Sequence, residues 1–348
     1  MPPKRNASLK ASGSKRKVEE RDTDTEEETQ RASQTTASGS KGSLKRTKTE
    51  YVQNGQPKNK VLPVEIKFEK RKEGTVRIAA WNVCGWAATQ KKGFKSYVDA
   101  EDPDILVLTE TKANDVSMDP ALKARFPYQY WSISSKKGYA GTAILSKVEP
   151  LSVDMKLPGH PDPTLCKGRI ITLEYEHAYI IGTYVVNAGQ DLKTLPVKEE
   201  WNKHFDAYIR DLDKKKPVIW TGDLNVAPTA IDLANAKKAW NKQAGYTEAE
   251  TTAFKKILNN PDDPEANKFT DVWRSLHPDL QHYTYWSYRF QCREKCIGWR
   301  LDMFVLSERI ADKVKMCEIR DEIYGASDHV PLVMDIETSA ISETSVPE

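Results

Sequence analysis

The sequence predicts an α/β domain built on mixed sheets and preceded by a disordered tail. Three observations predict it. From Thr75 onward short apolar runs recur every 10 to 30 residues, separated by stretches with helical spacing, the pattern of an α/β fold. The runs Arg169 to Glu174 and Tyr179 to Tyr184 are too close for a crossover helix. They read as an antiparallel hairpin, so the sheets are mixed. Residues 1 to 62 hold hardly any large apolar side chains and are rich in Ser, Thr, Lys, Arg and Glu, too little buried surface to offset the entropy of ordering. A chain of 348 residues with this division suits one large domain over 75–338. The expected flanks are a disordered basic tail (1–62), a linker (63–74) and a disordered C-terminus (339–348).

The elements follow in order. Val76 to Trp81 reads as a buried strand, and Lys91 to Glu101 as a helix through Phe94, Tyr97 and Val98. Pro103 to Leu108 is the next strand, and Ala143 to Leu145 and the hairpin above add three more. Glu199 to Leu212 places Trp201, Phe205, Tyr208 and Leu212 on one helical face, a core-packing stripe. Val218 to Trp220, Leu301 to Leu306 and Val330 to Ile336 complete the strands.

Strand tips repeatedly carry polar groups: Asn82, Glu110, Asp223 with Asn225, Asp302, and Asp328 with His329. Any one of these suits a turn or a helix cap. Five on separate strands, with no Cys/His cage and no Gly-rich phosphate loop, point to a site built from strand ends. Asp223 and Asn225 share a face at positions i and i+2. Oxygen donors such as Glu110 favour Mg²⁺ or Mn²⁺ over a thiophilic metal. A carboxylate such as Asp302 beside His329 would hold the ring and favour its charged form.

Charge divides unevenly. Residues 1–74 carry 18 Lys/Arg and 11 Asp/Glu, net +7, and the remainder carries 35 and 39, net −4. A basic arm beside an acidic domain fits attraction to a polyanion and a site that gathers cations. The clusters Lys4-Arg5, Lys15-Arg16-Lys17 and Lys45-Arg46-Thr47-Lys48 resemble nuclear import signals, with a mitochondrial pool as the alternative address. Five cysteines, an odd number, fit a reducing compartment. Cys292 and Cys296 lack a second pair that would complete a zinc site. No apolar run reaches about 18 residues, which excludes a spanning helix.

Taken together, these motifs resemble the exonuclease III-type abasic-site (AP) endonucleases of the endonuclease/exonuclease/phosphatase superfamily. The resemblance rests on Trp81-Asn82-Val83, Glu110-Thr111-Lys112, Tyr184 with Asn187-Ala188-Gly189, Gly222-Asp223-Leu224-Asn225, Trp299-Arg300-Leu301-Asp302 and Ser327-Asp328-His329-Val330-Pro331. It implies a four-layered α/β sandwich, two mixed β-sheets flanked by helices, with the site where strand tips meet. It further implies Mg²⁺-dependent hydrolysis, with Mn²⁺ as a substitute, of the phosphodiester 5′ to an abasic site, leaving a 3′-hydroxyl. Duplex DNA with abasic sites or blocked 3′ ends would be the substrate of a monomer, with repair proteins as partners of the tail. Asp223 would activate or position water and Asn225 orient it. Glu110 would bind metal, with Asn82, Asp223, Asn225, Asp328 and His329 around it. His329, aligned by Asp302, would touch the scissile phosphate, as would Tyr184 and Asn187. Tyr285, Trp299 and Leu301 would wall a pocket for a flipped sugar, with Arg289 nearby. The plain alternative for Tyr283 to Tyr288 is a packed, half-buried strand.

The chain departs from that pattern at three positions. Cys84 stands where the family usually has Asp or Asn, which predicts weaker metal binding because a thiol suits Mg²⁺ poorly. Ala87 and Gln190 stand where Arg is usual, which predicts a flatter salt dependence of DNA binding. No cysteine lies in the first core strand, so a redox role is not carried over. Two rival readings remain: a phosphodiesterase of the same superfamily with another substrate, and a DNA-binding relative whose catalysis has weakened.

Overall fold

Two six-stranded sheets face each other across an apolar interior. The computed structural model describes residues 54–343; the import-like clusters lie outside them. The strands are β1 (Thr75–Asn82), β2 (Ile105–Thr109), β3 (Tyr128–Ser132), β4 (Thr142–Ser146), β5 (Ser152–Asp154), β6 (Ile170–Glu174), β7 (Tyr179–Tyr184), β8 (Val218–Asp223), β9 (Phe269–Asp271), β10 (Asp302–Ser307), β11 (Val314–Ile319) and β12 (Leu332–Glu337). One sheet runs β11-β12-β1-β2-β4-β3 and the other β5-β6-β7-β8-β10-β9. Each contains one parallel pair, β1 with β2 and β7 with β8, among antiparallel neighbours. The expected hairpin is β6–β7, with Leu173 opposite Ile180.

Alternation of side chains along each strand builds the layers. Ile78, Ala80, Ile105, Val107 and Ile144 from one sheet meet Ile171, Leu173, Ile180, Ile219, Phe304 and Leu306 from the other. Each of the larger of these side chains contributes roughly 1.5–3 kcal/mol on burial. Gly182 lets the sheets approach, since a β-carbon there would come within 2.7 Å of Val107. On the outer face of one sheet, Trp81, Leu106 and Leu108 pack against Phe94, Tyr97 and Val98 of a helix over Phe94–Glu101. On the other, Val218, Trp220, Met303 and Val305 pack against Trp201, Phe205 and Ile209 of a helix over Leu195–Asp213, and against Phe254 and Ile257 of one over Glu248–Leu258. The layers are therefore helix, sheet, sheet, helix.

Over the described residues that fall in the expected flanks, the structure differs from the expectation. Residues 54–74 do not behave as tail and linker. The buried Gln56 side chain exchanges two hydrogen bonds with the Tyr283 backbone, at 3.0 and 2.9 Å. Leu62, Ile66 and Phe68 pack on the Trp81 cluster. At the other end Thr338–Ala340 forms a helical turn, and Ala340 and Ile341 are buried in the inter-sheet core. Scattered single apolar residues in a polar stretch gave no periodic signal, yet Leu62, Ile66 and Phe68 each fill a site on the finished domain, while Val61 and Val64 stay exposed.

Candidate active site

The alternation that builds the core also delivers the polar groups. Val76, Ile78 and Ala80 of β1 point inward, so Asn82 does too. Ile219 of β8 leads by twos to Asp223, and Ile180 of β7 to Tyr184. β10 runs antiparallel to β8, so the inward set Leu306 and Phe304 reaches Asp302 at the strand's first residue. Register places Asp302 directly opposite Asp223, and Asp223 beside Tyr184. Gly222 is required before Asp223: at φ 125° its β-carbon would stand 2.2 Å from the Thr183 carbonyl oxygen.

Beyond the strand ends the backbone turns sharply. Glu110 and Asn225 adopt φ of 51° and 50°, a left-handed conformation costing non-glycine residues about 1–3 kcal/mol. The surroundings hold them there. Asn82 Nδ2 donates to Glu110 Oε2 and Asp223 Oδ2, both at 2.9 Å. The Asn225 amide N–H donates to Asp223 Oδ1 at 2.9 Å. Asn225 Nδ2 donates to the Val185 carbonyl at 2.9 Å, and Asn225 Oδ1 accepts from exposed Asn187 at 2.8 Å. Lys112 pairs with Glu110 at 2.8 Å.

His329 lies between the two opposed aspartates. Its Nδ1 is 2.7 Å from Asp302 Oδ2, and its Nε2 is 3.9 Å from Asp223 Oδ2. Burial alone would lower the imidazole pKa, but the charge and hydrogen bond of Asp302, then Asp223 and Asp328, raise it to about 10. The ring is therefore charged and has Nε2 as a donor. Burial, reinforced by Asp302, pushes the Asp223 carboxyl up to about 7. Burial likewise raises Asp328, with Glu110 adding to it. One nitrogen or carboxylate oxygen from each of Glu110, Asp223 and His329 lies within 4.8 Å of the others, but the charged imidazole has no lone pair to give a metal, so His329 borders the cation site and Glu110 and Asp223 supply its oxygen ligands. Among the described residues, Glu110, Asp223, Asp302 and Asp328 are met by His329 and Lys112, with Lys198 also acting on Asp223 while paired to Glu250; carboxylates stay in excess, so the donor set fits a hard divalent cation. Cys84 adds no ligand charge, because burial and the nearby Asp328 and Glu110 raise its thiol well above its ordinary value.

The structure gathers most of the expected residues and separates one. Tyr285 bridges to both Trp299 and His329, its ring 4.8 Å from the imidazole. Leu301 stands two residues beyond Trp299, and its N–H donates to Thr284 Oγ1 at 3.0 Å. Tyr283 to Tyr288 is not a regular strand: its pairing is limited to isolated bridges at Tyr285, and the Gln56 side chain holds its start at Tyr283. Arg289 sits farther out, on the Arg289–Gln291 turn between exposed Tyr288 and Phe290.

Sequence reasoning missed several supports. Thr284 Oγ1 donates to Asp302 Oδ2 at 2.6 Å. Buried Arg169 lies 5.2 Å from the Tyr184 ring centre and donates to the Tyr139 hydroxyl at 2.8 Å. Lys198, also buried, reaches the Asn225 carbonyl. An isolated Arg, Lys or Thr carries no local signal of its partner. The single available cue was Lys198, which interrupts the buried face of an otherwise amphipathic helix.

Comparison with known proteins gives the family of the chain. The Endonuclease/Exonuclease/phosphatase family pattern matches residues 79–329. A relative from Bacillus subtilis (strain 168), named exodeoxyribonuclease, is 39% identical over 265 residues, which span 75% of this chain and 99% of the relative. A relative from Dictyostelium discoideum, named DNA-(apurinic or apyrimidinic site) endonuclease, is 39% identical over 271 residues, 76% of this chain and 71% of the relative. The crystal structure of the AP endonuclease LMAP from Leishmania major matches with a TM-score of 0.65 at 25% identity, covering 78% of this chain and 92% of that one. The chain belongs to the Endonuclease/Exonuclease/phosphatase family, and within it to the exonuclease III-type abasic-site endonucleases.

Proposed function

We propose that this enzyme is a Mg²⁺-dependent endonuclease that hydrolyses the phosphodiester 5′ to an abasic site in duplex DNA and leaves a 3′-hydroxyl. The observation that carries it is the charged His329 held by Asp302 and aimed at the Asp223 side of the site. Asp223 accepts a proton from water or holds that water, and its raised affinity for a proton near neutrality suits the task. Asn225 orients the water, fixed by Asn187 and Val185. His329 donates from Nε2 to a phosphate oxygen, where negative charge grows in the transition state. Tyr184 and Asn187 donate to the same phosphate. Glu110 is the principal cation ligand, with Asn82, Asp223, Asn225 and Asp328 around it. When bound, the cation supplies Lewis-acid stabilisation of the phosphoryl oxygens.

Tyr285 lies against His329 and bridges to Trp299, and the Trp299 and Leu301 side chains both flank Gly245; we assign the three to the pocket for the flipped abasic sugar. Arg289 is assigned to the DNA backbone or groove at the rim. Trimming of blocked 3′ ends is included because the Bacillus relative is named an exodeoxyribonuclease. We place the enzyme in the nucleus, acting as a monomer.

The test is cleavage of a duplex bearing one abasic analogue, and of one with a blocked 3′ end, in Mg²⁺ and then in EDTA. Nicking that disappears in EDTA and in Asp223→Asn is expected. Tight binding without nicking across a wide range of Mg²⁺ would make the protein a DNA-binding relative instead.

A further inference from the structure

A buried ion pair lies directly beneath the water-orienting residue. Lys198 and Glu250 are 1% and 2% exposed, and their charged groups meet at 2.7 Å. Lys198 also donates to the backbone carbonyl of Asn225, whose left-handed φ of 50° few side-chain-bearing residues adopt. Glu250 accepts from the Gly245 N–H at 2.9 Å and from the Thr247 hydroxyl at 2.9 Å. Gly245 in turn accepts from the Ala227 N–H at 2.8 Å. A β-carbon on Gly245 would lie 3.3 Å from the Asn225 carbonyl oxygen, 3.5 Å from Trp299 and 3.7 Å from Leu301. One ammonium and one carboxylate thus tie the turn that presents Asn225 to the loop behind the pocket wall.

Stability gives little reason to bury such a pair, because an apolar pair of similar size often serves as well or better. Its hydrogen bonds do supply direction. We propose that Lys198 and Glu250 are a positioning pair that fixes the Asn225 turn and the backing of Trp299 and Leu301 as one rigid unit. Neither residue touches substrate. The pair acts through the Asn225 carbonyl, so its catalytic consequence rests on the role given to Asn225 above.

The full chain, with asparagine labelled by ¹⁵N, tests this with Lys198→Met, Lys198→Arg and the double variant Lys198→Met/Glu250→Gln. Three quantities are read: kcat and KM on the abasic duplex in Mg²⁺, the Asn225 amide signals, and thermal unfolding. Lys198→Met is expected to lower kcat by roughly 10- to 100-fold, the scale of an ångström-level misplacement, with a smaller change in KM. It should shift the Asn225 signals while those of Asn59 and Asn114 stay in place. Lys198→Arg keeps a cationic donor and should restore kcat. The double variant leaves no unpaired charge, so it should recover stability while kcat stays low. Recovery of kcat together with stability would overturn the proposal, as would Asn225 signals that do not move. A wild-type chain that never nicks would sink the proposed function instead, and the Asn225 signals would still decide the fate of the pair.

Discussion

Two groups of buried carboxylates lie side by side at the start of β10, around Arg300 and around Asp302, and they have opposite electrostatics. Arg300 forms two hydrogen bonds with Asp271, at 3.0 and 2.7 Å, and one with Asp232 at 2.7 Å, while Arg274 pairs with Asp232 at 2.6 Å. Two cations meet two anions there. Burial would raise the Asp232 carboxyl, but Arg300 and Arg274 hold it below its ordinary range. Two residues on, Asp302 faces Asp223 across the strand pair, and Asp223 is driven up to about 7. Burial is common to both groups. What marks the second as a site is charge left without compensation, which a substrate phosphate's cation can supply.

The comparison is broken most directly at its two aspartates. Asp223→Asn should lower abasic-site cleavage by roughly 10²- to 10⁴-fold, the usual reach of a group handling a proton. It should also stabilise the metal-free protein at neutral pH, because it removes a like charge facing Asp302. Asp232→Asn should do the opposite to stability, costing about 3–5 kcal/mol by leaving buried Arg300 and Arg274 short of a partner. Single-turnover cleavage and denaturant unfolding in EDTA read both. An Asp223→Asn protein less stable than wild type at pH 8 would show that the site is not under-compensated.

A pH series sharpens the same point. Asp223 has a folded pKa above its unfolded value, so its contribution to stability is fully present below about pH 3.8 and is lost as pH rises through about 7. A divalent cation bound beside it should cancel that loss. The rise in melting temperature caused by Mg²⁺ should therefore grow from pH 5.5 to pH 8, and grow less in Asp223→Asn. A constant increment across that range would count against Asp223 as part of the cation site. The smallest expected effect is at Cys84, whose neutral thiol lies 4.0 Å from the Lys112 ammonium. Cys84→Asp should lower the Mg²⁺ concentration for half-maximal cleavage several-fold, and an unchanged requirement would dismiss the thiol as a cause of weak binding.

A truncation that probes the basic tail must respect the fold. Cutting at residue 62 removes Gln56, which clamps Tyr283 near the pocket wall, and Asn59, whose amide donates to the Glu322 carbonyl at 2.8 Å. Removing 1–53 instead leaves both in place, so any loss of DNA affinity at low salt then reports on the tail's charge.

Strand cores and the polar groups at their tips were legible in the sequence because both obey one local rule. Alternate residues share a face, so a run such as Ile219 to Asp223 announces its inward set without knowledge of its neighbours. The weakly patterned strands β3, β5, β9 and β11 were not visible, since much of their surface is exposed or lies at sheet edges. Register was not visible either. That Asp302 opposes Asp223, with His329 bridging them, depends on a pairing between segments some 80 residues apart. The sequence by itself determined the fold class, the family and the chemical types at the strand ends, because these are encoded in local periodicity and short motifs. Only the tertiary structure decided which carboxylates would lack compensation, that Lys198 would find Asn225, and that residues 54–74 belong to the domain. Those outcomes turn on distances between remote groups in a medium where water no longer screens them.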